Sequence, residues 1–217
     1  MAKRDDPRNV ETRDRLVESA IELFGLVGYD GTSTRAIASK AGASLGAIPY
    51  HFKTKECLYL AAARSIAEQV SLRLGPVLSA FESDIYSDEL SRKKAISLLE
   101  EIFTPFVTML ASNDSEKWAR FTLREQAAPT KAFEILYASD IGRFFRAVIH
   151  LAAIASGDVP ASQSARIRGM TLVGQALAFR AARALSLRTL ELEDLGAKEI
   201  TLITATIREN IRLLQYV

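Results

Sequence analysis

Three polar residues of the kind that caps helices lie close together near the N-terminus of this 217-residue chain. Ser33, Ser44 and Thr54 each precede a segment whose apolar residues recur at helical spacing. The side-chain oxygen of such a residue can accept a hydrogen bond from a free N–H group in the first turn of a helix. Between the first two caps, Gly42 favours the end of a helix. The pattern predicts helices over 34–40 and 45–52 and a longer helix from Lys55.

Helical spacing also dominates the rest of the chain. An amphipathic helix is predicted over 10–28, ending at the turn-forming sequence Gly28-Tyr29-Asp30-Gly31. Further breaks between helices are predicted at Gly75-Pro76, Ser112-Asn113-Asp114, Pro129-Thr130 and Gly157-Asp158-Val159-Pro160. Because strand and repeat signals are lacking, the predicted fold class is all-α with about nine helices. We expect a helix-turn-helix domain over 1–55 and a larger helical domain over 56–217.

Composition excludes several classes of function. Apolar residues make up 48% of the chain and charged residues 25%, as in ordinary globular proteins. The sequence lacks an apolar run of transmembrane length, and no apolar segment follows the charged N-terminus, so we expect a cytoplasmic protein. A net charge of +2 is too small for a general DNA-packaging protein.

Catalytic chemistry has few candidate residues. The chain contains two histidines, His51 and His150, and one cysteine, Cys57. Its carboxylates show no recognisable spacing for a metal site or for a nucleophile with its base. We therefore expect a protein that is not an enzyme and needs no metal or cofactor. His150 is interpreted as a hydrogen-bonded core histidine and Cys57 as a helix core residue.

Two short helices joined by a glycine-containing turn form a helix-turn-helix, whose second helix can enter the major groove of DNA. In the second predicted helix, Gly46 and Ala47 are small enough to allow close approach to the groove. Tyr50 and His51 can donate hydrogen bonds to phosphate oxygens, and Lys55 adds a charged contact at the start of the next helix. The sequence therefore predicts binding to double-stranded DNA.

The order and spacing of residues over about 10–60 closely resemble the TetR family of transcriptional regulators. The matching residues are Arg15 through Phe24, Gly28-Tyr29, Thr32-Ser33-Thr34, Ile37-Ala38, Ala41-Gly42, Ser44, Gly46, Tyr50-His51-Phe52 and Lys55-Glu56. By this resemblance, contacts to the DNA backbone are expected from Ser33, Thr34, Ser44, Tyr50, His51 and Lys55. Groove-facing positions are expected at Leu45, Gly46, Ala47 and Pro49. Arg35 adds a positive charge that can face phosphate. Phe24, Ile37, Ile48 and Phe52 are interpreted as core residues.

Pro49 departs from the family pattern, which usually has an aromatic residue at this position of the recognition helix. Because proline lacks the N–H that would bond to the carbonyl of Leu45, this helix is predicted to be kinked or irregular. The proline ring is also a candidate for packing against a thymine methyl group, which is a hypothesis about base reading.

The C-terminal part resembles the CecR-type domain found in one TetR subgroup, through the runs 123–133 and 174–183. The resemblance implies that this domain binds a small molecule and transmits its presence to the DNA-binding heads. Candidate polar anchors are Arg124, Glu125 and Gln175. Candidate apolar walls are Phe103, Phe106, Trp118, Phe121, Phe133, Tyr137, Phe144, Phe145 and Phe179. The alternative is an ordinary core position for each aromatic residue and an internal ion pair for Arg124 with Glu125.

The last predicted helix carries an apolar stripe at steps of three and four residues. Its members are Ile200, Ile203, Ile207, Ile211 and Leu214. Such a stripe favours a four-helix bundle in which segments of about 162–188 and 196–215 pack against the same segments of a second subunit. Gly169, Val173 and Ala181 would allow these helices to approach closely. The alternative is that the stripe only closes the core of its own subunit.

These patterns predict a ligand-responsive, DNA-binding regulator. A repressor is favoured that binds a palindromic operator as a homodimer and is released by a small-molecule effector. A transcriptional activator or dual regulator of the same fold is the open alternative.

Overall fold

The computed structural model describes residues 7–112 and 115–216, and within them the chain folds into twelve α-helices and a final 3-10 turn. The helices are α1 (Pro7–Gly31), α2 (Thr34–Lys40), α3 (Ala47–Phe52), α4 (Lys55–Ala80), α5 (Glu82–Ile85), α6 (Arg92–Ala111), α7 (Glu116–Ala127), α8 (Lys131–Tyr137), α9 (Asp140–Ser156), α10 (Gln163–Ala181), α11 (Arg183–Leu190) and α12 (Ala197–Arg212). The 3-10 turn is Leu213–Tyr216. The all-α fold class is confirmed, and the helix count exceeds the predicted nine.

The described residues form two compact units, and α4 contributes to both. The first unit contains the described residues up to Glu68 together with Glu116–Tyr137, and so includes α1 to α3, α7 and α8. The second unit contains the described residues of Gln69–Ser115 and those from Ala138 onward. The functional boundary at residue 55 stays a prediction. Within the described residues, no single helix is both long enough and apolar enough to cross a membrane.

Helix α1 is interrupted where the sequence predicts its end. Gly28 has φ 78° and ψ 176°, which are not helical, and the chain resumes a last helical turn to Gly31. The left-handed φ suits glycine because a Cβ atom would be strained there. The Thr32 hydroxyl donates to the Gly28 carbonyl at 2.7 Å and fixes this kink.

Two of the three predicted caps are confirmed. Ser33 Oγ accepts a hydrogen bond from the backbone N–H of Ala36 at 3.1 Å, and Thr54 Oγ1 accepts one from Cys57 at 3.1 Å. The prediction for Ser44 is wrong, because α3 begins at Ala47 and its cap residue is Gly46, which offers no side chain. Cys57 is exposed, which corrects its interpretation as a core residue.

Pro49 explains why α3 begins late. A helix starting at Leu45 would place this proline in its interior, where the missing N–H costs a hydrogen bond. Starting at Ala47 puts Pro49 in the first turn, where N–H groups have no helical partner. The backbone ladder then continues on both sides, from Tyr50 N–H to the Gly46 carbonyl at 3.2 Å and from Lys53 N–H to the Pro49 carbonyl at 3.1 Å. The predicted kink is therefore wrong.

The breaks predicted around residues 112–114, 129–130 and 157–160 are confirmed by the helix bounds. The break predicted at Gly75-Pro76 is wrong, because α4 continues through it to Ala80. Val70, Leu74 and Leu78 are all buried at successive four-residue steps, and packing along this stripe offsets the hydrogen bond that Pro76 removes. Breaks that were not predicted, such as the one at Ala182, raise the helix count.

The second unit is built around α6, α9 and α10. Phe106 stacks on Phe144 at 4.2 Å between ring centroids, and Phe103 meets Phe144 at 5.6 Å. Gly169 allows α10 to lie close to α9, since a Cβ atom there would be 2.7 Å from Ile149 Cγ1. Close approach at Gly169 therefore serves this unit's own packing.

The apolar stripe of α12 also faces inward. Ile203, Ile207, Ile211 and Leu214 are buried within the subunit, with Ile211 fully covered. The prediction that this stripe meets a second subunit is wrong, and the alternative that it closes the subunit's own core is confirmed. Val173 is likewise buried in this core.

His150 is half-buried on α9, close to α5. It is hydrogen-bonded to the backbone of Ile85, while its Nε2 is buried without a partner among the described residues. Its ring centroid lies 5.2 Å from that of Tyr86. Burial lowers the pKa of His150 below its ordinary value, and the hydrogen bond to Ile85 only partly opposes this effect. The folded protein thus favours the neutral imidazole.

We expect the free energy of unfolding to fall as the pH drops below about 6.5, the ordinary pKa of histidine in an unfolded chain. The lowered folded-state pKa means that the unfolded chain binds this proton more readily, so the stability is present above that pH and lost below it. Urea titrations at about pH 8 and about pH 5 measure the difference. His150→Gln should reduce the pH dependence, whereas His51→Gln, at the only other histidine, should keep it. An identical dependence in wild type and His150→Gln would contradict this assignment.

Candidate nucleic-acid interface

The two short helices are joined by a turn whose chemistry the sequence specifies. Gly42 has φ +60°, and its N–H donates to the Ser39 carbonyl at 3.2 Å. The next N–H, from Ala43, reaches back to the Ala38 carbonyl at 2.9 Å. This pair of bonds is the Schellman motif, in which a left-handed residue satisfies the last carbonyls of a helix. It ends α2 sharply and directs the chain into α3.

Helix α3 buries one side and exposes the other. Ile48 and Phe52 are buried against α1 and α2. Pro49 is exposed, and Tyr50 has 70% of its surface accessible. A Cβ atom placed on Gly46 would meet nothing within 4 Å, so the start of α3 is open to a large partner. The core positions predicted at Phe24, Ile37, Ile48 and Phe52 are confirmed.

The eleven DNA-contact candidates lie in the first unit, on α2, on the turn, on α3 and at the start of α4. Those classed as exposed are Ser33, Arg35, Ser44, Leu45, Gly46, Pro49 and Tyr50. Those that are half-buried are Thr34, Ala47, His51 and Lys55. We refer to these eleven residues as the recognition surface. Their contact with DNA stays a prediction.

The recognition surface and the adjoining Lys53 carry positive charges that no described residue pairs with. Within the described residues, Arg35, Lys53 and Lys55 form no ion pair, whereas Lys40 is paired with Glu22 at 2.9 Å. Tyr50 accepts a hydrogen bond from Asn9 at 3.3 Å on its hydroxyl oxygen, which leaves the hydroxyl proton available to an acceptor. Phosphate oxygens are acceptors of this kind.

Lys53 is a residue that the sequence reasoning missed. Its φ of 66° and ψ of −56° form a γ-turn, closed by the Thr54 N–H donating to the Phe52 carbonyl at 2.8 Å. A non-glycine residue in this conformation is strained, and such strain is concentrated at functional sites. Its charge was visible in the sequence, but its backbone conformation was not.

Lys55 is held by an aromatic ring. Its Nζ lies 4.3 Å from the centroid of the Tyr29 ring, a cation–π contact. Tyr29 lies in the last turn of α1, just after the Gly28 kink. Burial raises the pKa of Tyr29, as do the nearby carboxylates of Glu56 and Asp30, so the ring faces Lys55 as a neutral phenol.

The effector candidates are divided between the two units. Six of them lie on α7 and α8, in the first unit: Trp118, Phe121, Arg124, Glu125, Phe133 and Tyr137. The other six, Phe103, Phe106, Phe144, Phe145, Gln175 and Phe179, lie in the second unit. Effector binding by any of them stays a prediction.

Arg124 and Glu125 do not pair with each other. The Arg124 guanidinium donates to the carbonyls of Gly25 and Leu26 at 2.8 and 2.7 Å. Glu125 is only 2% exposed and accepts hydrogen bonds from Tyr59, Thr130 and Phe133. The internal ion pair suggested as an alternative is therefore wrong, and both side chains have other partners within the first unit.

In the second unit, Gln175 lies at an open groove between α10 and the end of α12. The groove has a volume of about 670 Å³, and Gln175 accepts a hydrogen bond there from Asn210 at 2.8 Å. Phe103, Phe106 and Phe144 are buried with one another inside the unit instead. Gln175 thus lines the groove, whereas these three aromatic candidates belong to the core.

Comparisons with known proteins agree with this architecture. Residues 16–62 match the model of the bacterial regulatory proteins of the tetR family. Residues 95–215, more than half of the chain, match the C-terminal domain of the HTH-type transcriptional dual regulator CecR. The chain belongs to the TetR family of transcriptional regulators. It is therefore a DNA-binding regulator rather than an enzyme, as its relatives are.

Among individual relatives, the dual regulator CecR of Shigella flexneri is 28% identical over 170 residues, covering 78% of this chain and 76% of that protein. The regulator AcrR of the same organism is 32% identical over 106 residues, covering 48% of this chain and 47% of that protein. A putative fatty acid metabolism regulator of Clostridium perfringens shares the fold, with a TM-score of 0.61 at 18% identity, covering 91% and 96% of the two chains. The FadR regulator of Bacillus subtilis in complex with stearoyl-CoA has a TM-score of 0.58 at 15% identity, covering 91% and 96%.

Proposed function

We propose that this TetR-family protein is a ligand-responsive repressor that binds a palindromic operator as a homodimer and is released by a small molecule. The observation that carries the proposal is the recognition surface. There α3 begins with small residues and open space, and the neighbouring helices α2 and α4 contribute Arg35 and Lys55, which form no ion pair among the described residues. Double-stranded DNA fits this surface, because the major groove accepts a helix and phosphate attracts the cations. A protein with this task works in the cytoplasm.

Each part of the recognition surface has a proposed role. Arg35, Tyr50, His51 and Lys55 bind phosphate, with Ser33, Thr34 and Ser44 adding hydroxyl contacts. Leu45, Gly46, Ala47 and Pro49 face the groove. Lys53, held in its γ-turn beside this surface, adds a further positive charge.

The proposed effector site lies in the second unit. Its aromatic candidates for an apolar wall are the half-buried Phe145 and Phe179 and the buried Phe103, Phe106 and Phe144. The stearoyl-CoA complex of FadR supports the idea that this fold can accept a small molecule. Ligand binding is proposed to favour a separation of the heads that no longer fits successive major grooves.

The activator or dual-regulator alternative has its own support, because the relative CecR, which aligns with 78% of this chain, is named a dual regulator. The two alternatives differ in the position of the operator relative to the promoter. A reporter gene under the natural upstream sequence distinguishes them: deleting the regulator raises expression if it is a repressor and lowers it if it is an activator.

A mobility-shift assay with the DNA upstream of its own gene tests operator binding. We expect a shift that weakens with salt and is at least about a hundredfold tighter than the shift of random DNA. Ala47→Glu is the matched control, since glutamate suits the first turn of a helix but repels phosphate, and it should fold normally while losing the shift. Equal affinity for random DNA would refute the operator-specific function.

A further inference from the structure

We infer that Tyr59 and Glu125 are positioning residues for DNA binding: through Tyr29, they hold Lys55 where it meets phosphate. The inference rests on the proposed phosphate contact of Lys55 and adds the side chains that hold Lys55 in place for it. All four residues belong to the first unit. We call these four residues the relay, which runs from Glu125 on α7 through Tyr59 on α4 and Tyr29 on α1 to Lys55, the first residue of α4.

The relay starts at a buried carboxylate. Glu125 Oε2 accepts hydrogen bonds from the Thr130 N–H at 3.1 Å, the Thr130 hydroxyl at 2.9 Å and the Phe133 N–H at 2.9 Å. Its other oxygen, Oε1, accepts from the Tyr59 hydroxyl. A carboxylate with this many donors is fixed in direction, because each hydrogen bond constrains its rotation. Glu125 therefore gives the Tyr59 hydroxyl one defined partner.

Tyr59 carries that constraint to α1. Its ring packs edge-on against Phe24 at 4.8 Å and against Tyr29 at 5.1 Å between centroids. It also contacts the ring of Phe121 of α7 at 4.8 Å between centroids. Burial, together with the hydrogen bond to Glu125, raises the pKa of Tyr59, so its hydroxyl remains a proton donor at neutral pH. Because the Tyr59 ring is held at its hydroxyl and by Phe24 and Phe121, it restricts the position of Tyr29.

The kink of α1 is held from the same helix α7. Arg124 donates to the carbonyls of Gly25 and Leu26, which precede the kink. Its Nη1 would lie 3.3 Å from a Cβ atom placed on Gly28, so the guanidinium sits directly against the kink. A cation at the carbonyl end of a helix is favourable. Arg124 thus fixes the direction in which α1 delivers Tyr29.

Lys55 is the end of the relay. A lysine side chain has four rotatable bonds, and holding it in one place costs entropy on binding. The Tyr29 ring, 4.3 Å from Lys55 Nζ, restricts that freedom before DNA arrives. Neighbouring Glu56 pairs with Lys131 of α8 at 3.3 Å rather than with Lys55. Lys55 is thus pre-positioned and remains unpaired among the described residues.

The wild-type protein is first used to select a binding duplex from a random-sequence pool. Fluorescence anisotropy with this duplex, labelled, then tests the relay. Lys55→Met should lower the affinity by about tenfold and reduce the slope of log affinity against log salt by about one for each phosphate contact it removes. Tyr59→Phe keeps the ring but removes the hydroxyl bond to Glu125, and should weaken binding by about threefold with a partial decrease in slope. Combined with Lys55→Met, it should add nothing. Circular dichroism melts establish that every variant is folded at the assay temperature.

Arg35→Ala provides the matched comparison, since Arg35 is a predicted phosphate contact outside the relay. Tyr59→Phe should act additively with Arg35→Ala, because sites without shared contacts do not couple. Glu125→Gln tests the relay at the residue farthest from Lys55. It should weaken DNA binding alone and should add nothing when combined with Lys55→Met. The relay is overturned if Tyr59→Phe and Glu125→Gln both keep the wild-type affinity and salt slope. It is also overturned if Tyr59→Phe couples as strongly to Arg35→Ala as to Lys55→Met.

In either case, weaker binding by Lys55→Met would still support the proposed phosphate contact of Lys55. Wild-type binding by Lys55→Met would refute that contact.

Discussion

Arg180→Met is expected to lower the free energy of unfolding by about 3 kcal/mol. Arg180 is only 7% exposed, and its guanidinium donates to the carbonyls of Leu110 and Ser112, both at 2.6 Å. It also donates to the hydroxyl of Ser115 at 2.7 Å. Methionine fills a similar volume but has no donor, so these acceptors at the end of α6 would lose their partner.

Urea unfolding followed by circular dichroism measures this decrease in stability, at one protein concentration for all variants. Arg166→Met is the matched control on the same helix: Arg166 is exposed and makes one backbone hydrogen bond, to Ala161 at 3.1 Å, among those described. It should change stability by less than about 0.5 kcal/mol. If Arg180→Met were no less stable than Arg166→Met, the guanidinium bonds would contribute no net stability.

Local patterns in the sequence predicted the local structure well. Helix α2 has its predicted bounds. Ser33 and Thr54 cap helices with their side-chain oxygens, and Gly42 ends a helix with a positive φ, as these residue types favour in any chain. Such features depend on hydrogen bonds spanning a few residues, so a window of sequence contains all the participants. The family's helix-turn-helix was recognisable for the same reason.

Competition between two local signals was harder to predict. Ser44 is a good cap and Pro49 a poor interior residue, and the helix resolves the conflict by starting at Ala47. At Gly75-Pro76 helix α4 continues despite two residues that disfavour helix, because the burial of Leu74 and Leu78 offsets their cost. A sequence shows that both signals are present, but their relative strength depends on what packs against the segment.

Long-range packing lay beyond the sequence altogether. Helix α7 follows α6 in the chain, yet Arg124 and Glu125 bind α1 and α4, about a hundred and about seventy residues away. Nothing in the sequence around Glu125 shows that Tyr59 is its partner. The isoleucine stripe of α12 was visible as an apolar face, but periodicity cannot tell whether the buried side meets the same subunit or another.

The double variant Ile167→Asp/Met170→Asp is expected to be monomeric and to bind the operator more than about a hundredfold more weakly. Since the α12 stripe is turned inward, we place the interface of the proposed homodimer on the outer face of α10 and α12. On α10, Ile167 is 58% exposed and Met170 50%, and in the 3-10 turn after α12 Leu213 is 57% exposed. Exposed large apolar residues of this kind favour a partner. Gly174 and Ala178 continue this face of α10 with small residues that permit close helix approach.

Two-fold symmetry makes each substitution count twice, because residues near the axis of such an interface face their own copies. The double variant would bring four carboxylates into an apolar contact, where unpaired charges are strongly disfavoured. A monomer engages one half-site at a time and loses the gain from linked binding, so DNA affinity falls although the recognition surface is intact.

Sedimentation equilibrium and fluorescence anisotropy on the same samples measure the oligomeric state and the DNA affinity. Val159→Asp, which adds a charge at an exposed apolar residue of the loop before α10, should remain dimeric and bind normally. A double variant that stayed dimeric would place the subunit interface elsewhere, and a monomer with undiminished affinity would show that one head suffices for operator binding.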